Sequence, residues 1–270
     1  MKIAFIGDIV GRPGRRIIKH NLAKLKEQEN IDFVIANGEN ASHGFGITVK
    51  NADELFKCGI DLITGGNHIW DKKQDILTLL KSRAVLRPDN YPEGVLGSGV
   101  KIVEINGVKL AVINLMGLYA MPQVLNPFTH IIKLVDKLHK DEIKHIFIDF
   151  HAEATSEKRV LMQLLKGKVS GICGTHTHIG TDDLEIESGT FYVTDVGLTG
   201  CRDNVIGMDS KVPIQKALTG LGGHFNVPTN CKAIMQMVVI NIDEAGKATQ
   251  GYKIKLYDDH KSRVIEAIIN

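Results

Sequence analysis

Short apolar runs alternate with segments of helical periodicity through the first part of the chain. The apolar runs predict three buried strands with the loops that follow them: KIAFIGD, DFVIANGEN and DLITGGNH. The segments after them have apolar residues at helical spacing and predict three helices: RRIIKHNLAKLKEQEN, NADELFKCG and DKKQDILTLLKS, the last opening on Asp71. Buried strands that alternate with helices are typical of a parallel sheet covered by helices.

The remainder of the chain adds hairpins to this pattern. Asn106-Gly107 joins two β-rich runs and is a strong signal for a hairpin turn. Asn126 and Pro127 are the residue types favoured at the N-cap and first position of a helix. Further strands, hairpins and one helix are predicted at KHIFIDFH, SEKRVLMQLLKG (the helix), VSGICGTHTH, LEIESGTFYVTDV and CKAIMQMVVINIDEAGKATQGYKIKLYD. We therefore predict an α/β fold with two mixed sheets. A single domain over residues 1–270 is expected, because no change of composition marks a linker.

Residues 197–230 are glycine-rich and irregular, except for a short helix near VPIQKAL. The overlapping stretch TDVGLTGCRDNVIGMD, at 194–209, could cover a functional site or form a contact between subunits, and a homo-oligomer is compatible with the 197–230 segment. Both alternatives stay open at this point. His43 and His224 lie in glycine-rich loops and are candidates for the rim of a pocket.

Composition and charge exclude some classes of protein. The chain is 43% hydrophobic and 24% charged, which is ordinary for a soluble protein. Its 33 basic and 31 acidic residues give a net charge of +2, so the charge does not indicate a nucleic-acid-binding surface, although a metal centre could still cut RNA. No apolar run reaches membrane-spanning length, and the N-terminal apolar run is too short for a signal peptide. We expect a cytoplasmic protein that binds no membrane.

The four cysteines show no CxxC spacing and no close framework. Free thiols in a reducing compartment are therefore expected. Cys173, three residues before a histidine, is interpreted as a buried packing residue rather than as a metal ligand.

Five predicted strands deliver an acid, an amide or an imidazole at their carboxyl ends. These residues are Asp8, Glu39, Asn40, Asn67, His68, His151, His176 and His178. In open α/β sheets, ligands bind at this edge. If the segment around His176 and His178 is extended, the two imidazoles lie on one face, because residues i and i+2 of a strand do so.

The residue types at these strand ends favour a metal site. Carboxylate, carboxamide and imidazole groups bind divalent iron, manganese or zinc. The set needs no thiolate, which argues against a structural zinc site of the cysteine kind. Since it exceeds what one ion needs, we expect two ions about 3.5–4 Å apart that share one carboxylate, as in enzymes of phosphoryl transfer.

Two of the segments resemble a known family. GGNHIWD at 65–71 and GTHTH at 174–178 resemble the GNH[DE] and GHxH motifs of calcineurin-like metallophosphoesterases. The resemblance implies a four-layer α/β/β/α sandwich with a dinuclear metal centre at the strand ends. The first motif of that family is usually Asp-x-His, but here Val10 stands in the place of the histidine. Glu39 stands where the second motif has its bridging aspartate. These departures, together with GDIVGRPGR, NGENASHGFGIT and DFHAEATSEK, resemble the YmdB-like phosphodiesterase branch.

The resemblance implies a role for each strand-end residue. Asp8 and His178 would hold the first metal, with Asn40 in the place of the missing histidine. The second metal would be held by Asn67, His151 and His176, with Glu39 bridging both ions. The branch is associated with iron, and manganese often supports activity in the family, so two divalent or trivalent ions are expected.

His68 would act as the general acid that protonates the leaving oxygen, while a hydroxide that bridges the metals attacks phosphorus. Alternatively, His68 orients a ligand through Asp71. The implied substrates are small phosphodiesters such as cyclic nucleotides.

Two other functions stay open. One is a phosphomonoesterase or nucleotidase on the same centre, which a cationic group placed for a dianionic phosphate would favour. Arg12, Arg15 and Arg16 follow the first motif, but a helix start at the surface accounts for them equally well. The other is a metal-containing regulatory protein that binds a nucleotide with little turnover.

Overall fold

The computed structural model describes residues 1–259 and 262–270, and two mixed sheets form its centre. The first sheet has the order β13-β12-β11-β1-β2-β3, with β10 on β11. Its strands are β1 (Lys2–Ile6), β2 (Phe33–Asn37), β3 (Leu62–Thr64), β10 (Gly200–Cys201), β11 (Ala233–Ile242), β12 (Ala248–Tyr257) and β13 (Ser262–Glu266). The strands β1, β2 and β3 are parallel, and β11 joins them in the antiparallel direction.

The second sheet has the order β14-β8-β9-β7-β6-β5-β4. Its strands are β4 (Val100–Ile105), β5 (Val108–Met116), β6 (His145–His151), β7 (Gly171–Thr175), β8 (Glu185–Glu187), β9 (Thr190–Val193) and β14 (Ile268–Ile269). The strands β5, β6, β7 and β9 run parallel. The helices of the described chain are α1 (Gly11–Gln28), α2 (Val49–Lys57), α3 (Lys73–Ser82), α4 (Pro127–Lys140), α5 (Thr155–Leu165) and α6 (Lys211–Thr219).

Three apolar cores hold four layers together. Phe5 and Leu62 of the first sheet pack against Phe147 and Phe191 of the second, and all four are buried. The helices α1, α2 and α3 cover the outer face of the first sheet through residues such as Leu22. The helices α4 and α5 cover the second sheet in the same way. The α/β/β/α sandwich is therefore confirmed. No helix in the described part of the chain is long and apolar enough to cross a membrane.

Local signals placed several elements correctly. Asn106 and Gly107 form the turn between β4 and β5, with φ values of 50° and 81°. The Asn126 side chain accepts hydrogen bonds from the backbone N–H groups of Phe128 and Thr129, and Pro127 begins α4. The expectation that the third helix opens on Asp71 is wrong, since α3 begins at Lys73. The Asp71 carboxylate accepts a hydrogen bond from the His68 side chain instead. The strands β10, β13 and β14 were not predicted.

The expectation of four free thiols is also wrong, because Cys201 and Cys231 form a disulfide. In the pairing of β10 with β11, Cys201 lies opposite Ala233, and this brings Cys231 alongside. The disulfide closes a loop over residues 202–230, which we call the cover segment. Cys58 and Cys173 are free, and Cys173 is buried in the core between the sheets, as the sequence predicted.

Removal of this disulfide should lower the stability of the protein. The two cysteines are 30 residues apart. A cross-link over such a loop restricts the unfolded chain and contributes about 3 to 4 kcal/mol to the free energy of unfolding. We expect Cys201→Ser with Cys231→Ser to lose about this amount in urea unfolding under non-reducing conditions. Cys58→Ser is the matched control, and equal midpoints for the double variant and the wild type would contradict the prediction.

Candidate metal centre

The carboxyl ends of β1, β2, β3, β6 and β7 meet where the two sheets come together. All eight strand-end residues predicted from the sequence lie at this edge. The first sheet contributes the carboxylates and carboxamides, and the second sheet contributes His151, His176 and His178. Asp8, Glu39 and His151 are completely buried.

One group of donor atoms surrounds Asp8. The Nε2 atom of His178 lies 3.9 Å from Asp8 Oδ1 and 3.2 Å from Asn40 Nδ2. Within the described residues, Asp8 Oδ1 and Asn40 Oδ1 are the buried side-chain polar atoms without a hydrogen-bond partner. A buried acceptor with no partner costs about 1–3 kcal/mol, so these two oxygens require an explanation. A cation bound by both oxygens would provide one.

A second group of donor atoms converges on the Nε2 atom of His151. Asn67 Oδ1 lies at 2.9 Å, His176 Nδ1 at 3.1 Å and Glu39 Oε1 at 3.1 Å. Ligand atoms of Glu39, His151 and His176 lie within 4.8 Å of one another. Glu39 Oε1 also accepts a hydrogen bond from Asn40 Nδ2, so this carboxylate reaches both groups.

The pKa values of these residues are displaced by burial and by their mutual charges. Burial raises the pKa of Asp8. Burial also acts to raise the pKa of Glu39, but the charge and hydrogen bond of His151 outweigh it and bring the pKa to about 2. Burial disfavours the charged form of His151, yet Glu39 and then Asp8 raise its pKa to about 9. Burial and the charge of His151 lower the pKa of His176 to about 3. Burial thus acts on every one of these groups, and the pairing of Glu39 with His151 keeps both of them charged. The oxygen and imidazole donors fit a divalent cation.

Two hydrogen bonds that the sequence did not reveal orient the imidazoles. Thr175 Oγ1 donates to Asp149 Oδ1 at 2.7 Å, so its lone pair accepts from His151 Nδ1 at 2.9 Å. His178 Nδ1 donates to the backbone carbonyl of Ile206 at 2.8 Å. In each case the Nε2 atom is left to face the donor cluster. Burial raises the pKa of Asp149 to about 7. Thr175 directly precedes His176 in the sequence, so an orienting hydroxyl could have been suspected there. Nothing in the sequence indicates that the carbonyl of Ile206 orients His178.

The two histidines of GTHTH reach the centre by a route other than strand alternation. The strand β7 ends at Thr175, and His176 and His178 have φ values of 100° and 65°. Asp195 holds this turn by accepting from the backbone N–H of Thr177 at 3.1 Å and from its hydroxyl at 2.8 Å. The expectation of an extended segment is therefore wrong, although both imidazoles do face the same site.

Gly66 keeps the space between the donors open. A Cβ atom at this position would lie 2.4 Å from both Glu39 Oε2 and His151 Nε2. No side chain fits at that distance, so the close approach of the backbone requires glycine.

His68 lies at the edge of the centre. Its Nδ1 atom donates to Asp71 Oδ2 at 2.9 Å, and its ring packs edge-on against Phe45 at 5.0 Å between centroids. Its backbone N–H donates to Glu39 Oε2 at 2.9 Å. The backbone of His68 therefore positions a carboxylate, while the imidazole lines the pocket.

A pocket of about 350 Å³ opens over the donor cluster, which is at the small end of the range for ligand sites. Twelve described residues line it: Glu39, Asn40, Gly44, Phe45, His68, Glu153, His176, Thr177, His178, Ile206, Met208 and Phe225. No Lys or Arg is among these described residues, and neither His43 nor His224 lines the pocket. Arg15 is bound to Glu54 and to the carbonyl of Ala41. Ile206 and Met208 of the 194–209 stretch, and Phe225 further along the cover segment, thus line the pocket, which agrees with the alternative that this stretch covers the site.

This fold, with oxygen and imidazole donors at the ends of the parallel strands, is that of the metallophosphoesterases. A putative 5′-nucleotidase from Staphylococcus aureus has the fold at 12% identity and a TM-score of 0.60, over 100% of this chain and 55% of that one. More specifically, the chain belongs to the family of YmdB-like proteins, whose model matches residues 4–254. The resemblance seen in the sequence is confirmed.

Two relatives match nearly the full chain. A 2′,3′-cyclic-nucleotide 2′-phosphodiesterase from Bacillus subtilis is 44% identical over 96% of this chain and 98% of its own. A solved structure described as a novel phosphatase from Mycoplasma pneumoniae has a TM-score of 0.90 at 34% identity, over 99% of this chain and 94% of that one.

The Thr175 hydroxyl should matter for metal affinity. Thr175→Val removes the acceptor for His151 Nδ1 and the donor to Asp149, whereas Thr175→Ser keeps both. Loss of such an orienting partner typically weakens metal binding about 10–100-fold. We expect this loss for Mn²⁺ in Thr175→Val, measured by calorimetry, and near wild-type affinity in Thr175→Ser. Equal affinity of the two variants would show that the hydroxyl does not orient His151.

Proposed function

We propose that the protein is a metal-dependent phosphodiesterase that hydrolyses 2′,3′-cyclic nucleotides or related phosphodiesters. The observation that carries the proposal is the pocket itself, where a donor cluster for cations faces described walls without Lys or Arg. A diester has one negative charge, which the cations can neutralise. A terminal monoester has nearly two charges at neutral pH and favours additional cationic partners. The name of the B. subtilis relative supports the same substrate class.

In this proposal Asp8, Asn40 and His178 would hold one metal ion. Asn67, His151 and His176 would hold the other, and Glu39 would be shared between them. Iron or manganese suits a set of oxygen and imidazole donors. Such ions, when bound, neutralise the phosphate and lower the pKa of bound water.

The imidazole of His68 supplies the proton for the leaving oxygen. Asp71 accepts from Nδ1 and fixes the ring, so the proton to be transferred is carried by Nε2. The backbone N–H of His68 independently holds Glu39 Oε2, and this contact survives any change of side chain. In the alternative, His68 only orients its neighbours, and metal binding would then depend on its side chain.

His68→Ala tests the acid role. We expect kcat for 2′,3′-cyclic AMP to fall about 10²–10⁴-fold with unchanged metal content, because the backbone contact to Glu39 remains. With bis-p-nitrophenyl phosphate the loss should be much smaller, since p-nitrophenolate leaves without a proton. Asp71→Asn is the comparison variant that perturbs the ring but keeps the imidazole. Loss of metal, or an equal loss of kcat on both substrates, would favour the orienting role.

The charge of the pocket predicts a preference between substrates. The protein, loaded with Mn²⁺, should have a higher kcat/KM for bis-p-nitrophenyl phosphate than for p-nitrophenyl phosphate. The reverse preference would support the phosphomonoesterase or nucleotidase alternative. Full metal occupancy without turnover of these substrates or of cyclic nucleotides would support a regulatory binding protein.

A cytoplasmic location is part of the proposal and has a consequence for the disulfide. Reducing compartments keep most cysteines as thiols. In the cytoplasm Cys201 and Cys231 would then be separate thiols, and the pairing of β10 with β11 would hold the base of the cover segment without the covalent bond.

A further inference from the structure

The pocket has two chemically different sides. One side presents the donor cluster, and the other is an apolar wall that we define as Phe45, Ile206, Met208 and Phe225. Three of these four residues come from the cover segment. Phe45 and Phe225 are half-buried and pack with Met208 in one apolar cluster. The wall is therefore built into the fold, and two aromatic rings remain partly open to the pocket.

Ile206 is held in an unusual conformation at the centre of this wall. Its φ is 43°, a left-handed value that is an outlier for a β-branched residue. The conformation directs the backbone carbonyl to His178 Nδ1, while the residue remains 46% exposed. Strained residues concentrate at ligand-binding and catalytic sites. The same residue thus joins the apolar wall to the donor cluster.

The polar side chains that line the pocket either have a hydrogen-bond partner or belong to the donor cluster. Thr177 gives its hydroxyl and its backbone N–H to Asp195. Glu153 pairs with His176 Nε2 at 3.0 Å, and His68 is bound to Asp71. The remaining polar side chains belong to the donor cluster: Glu39, Asn40, His176 and His178. A ligand group against the wall therefore meets apolar surface, while each polar side chain of the described lining belongs to the donor cluster or already has a partner.

We infer that this apolar wall holds the nucleobase of the substrate by stacking, without reading the hydrogen-bonding edge of the base. The inference rests on the proposed function and deepens it. A phosphate at the donor cluster places the attached nucleoside beside the wall, because both line one small pocket. Every base has a π-face, and stacking on aromatic rings tolerates any sequence. The structure thus assigns a base-tolerant nucleoside subsite to the cover segment.

Phe225→Ala tests the wall. We compare 2′,3′-cyclic AMP with glycerol 1,2-cyclic phosphate, a cyclic diester without a base, on protein loaded with Mn²⁺. The ratio of kcat/KM for the nucleotide to kcat/KM for the glycerol ester should fall roughly tenfold, mainly through KM. Phe225→Trp should restore the ratio. Leu218→Ala is the matched control, because Leu218 lies on α6 of the same segment, 80% exposed, and does not line the pocket. An unchanged ratio in Phe225→Ala would overturn the inference.

Base tolerance is tested with the wild type. The four 2′,3′-cyclic nucleotides should differ by no more than about tenfold in kcat/KM, since stacking strength alone distinguishes them. A difference of about a hundredfold or more would show that a polar group reads the base, and would overturn the inference.

Binding separates failure of this inference from failure of the proposed function. If the wild type hydrolyses no cyclic diester, the proposed function fails. The wall is then tested by calorimetry with adenosine 3′-monophosphate and glycerol 3-phosphate. Roughly tenfold weaker binding of the nucleotide alone in Phe225→Ala would support the subsite. Equal binding of the nucleotide by the variant and the wild type would overturn it.

Discussion

Two buried carboxylates determine how the rest of the structure is arranged. Asp8 and Glu39 follow adjacent strands of the first sheet and have no exposed surface. Buried charge is costly unless an opposite charge and hydrogen bonds compensate it. The compensating imidazoles, above all His151, come from the second sheet. The contact between the sheets is therefore apolar in its middle and electrostatic at one edge. The sandwich and the donor cluster depend on the same packing.

The strand-end residues could be predicted because parallel strands bring their carboxyl ends to one edge. Asp8, Glu39 and His151 follow from this rule and from the apolar runs before them. The geometry of His176 and His178 could not be predicted, because it depends on Asp195, which lies many residues further along the chain. A local pattern indicates that two imidazoles are close, but it does not determine the backbone that orients them.

The cover segment shows a second limit of local patterns. Its composition predicted irregular structure, which is correct. The composition did not indicate where the segment lies relative to the donor cluster. That position is set by the antiparallel pairing of β10 with β11 and by the disulfide between Cys201 and Cys231, both of which are non-local. The backbone carbonyl of Ile206 accepts a hydrogen bond from His178 Nδ1. The cover segment, for which no metal ligand was predicted, therefore helps to orient a candidate metal ligand. Residues outside the strand ends thus also determine the geometry of the donor cluster.

Gly66 has a consequence for the substitutions that the site tolerates. It offers no chemical group, and yet the smallest side chain at this position would occupy the volume between Glu39 and His151. A substitution here would therefore disturb the donors by steric contact and not by loss of a ligand. A residue without any reactive group thus limits which side chains the centre tolerates.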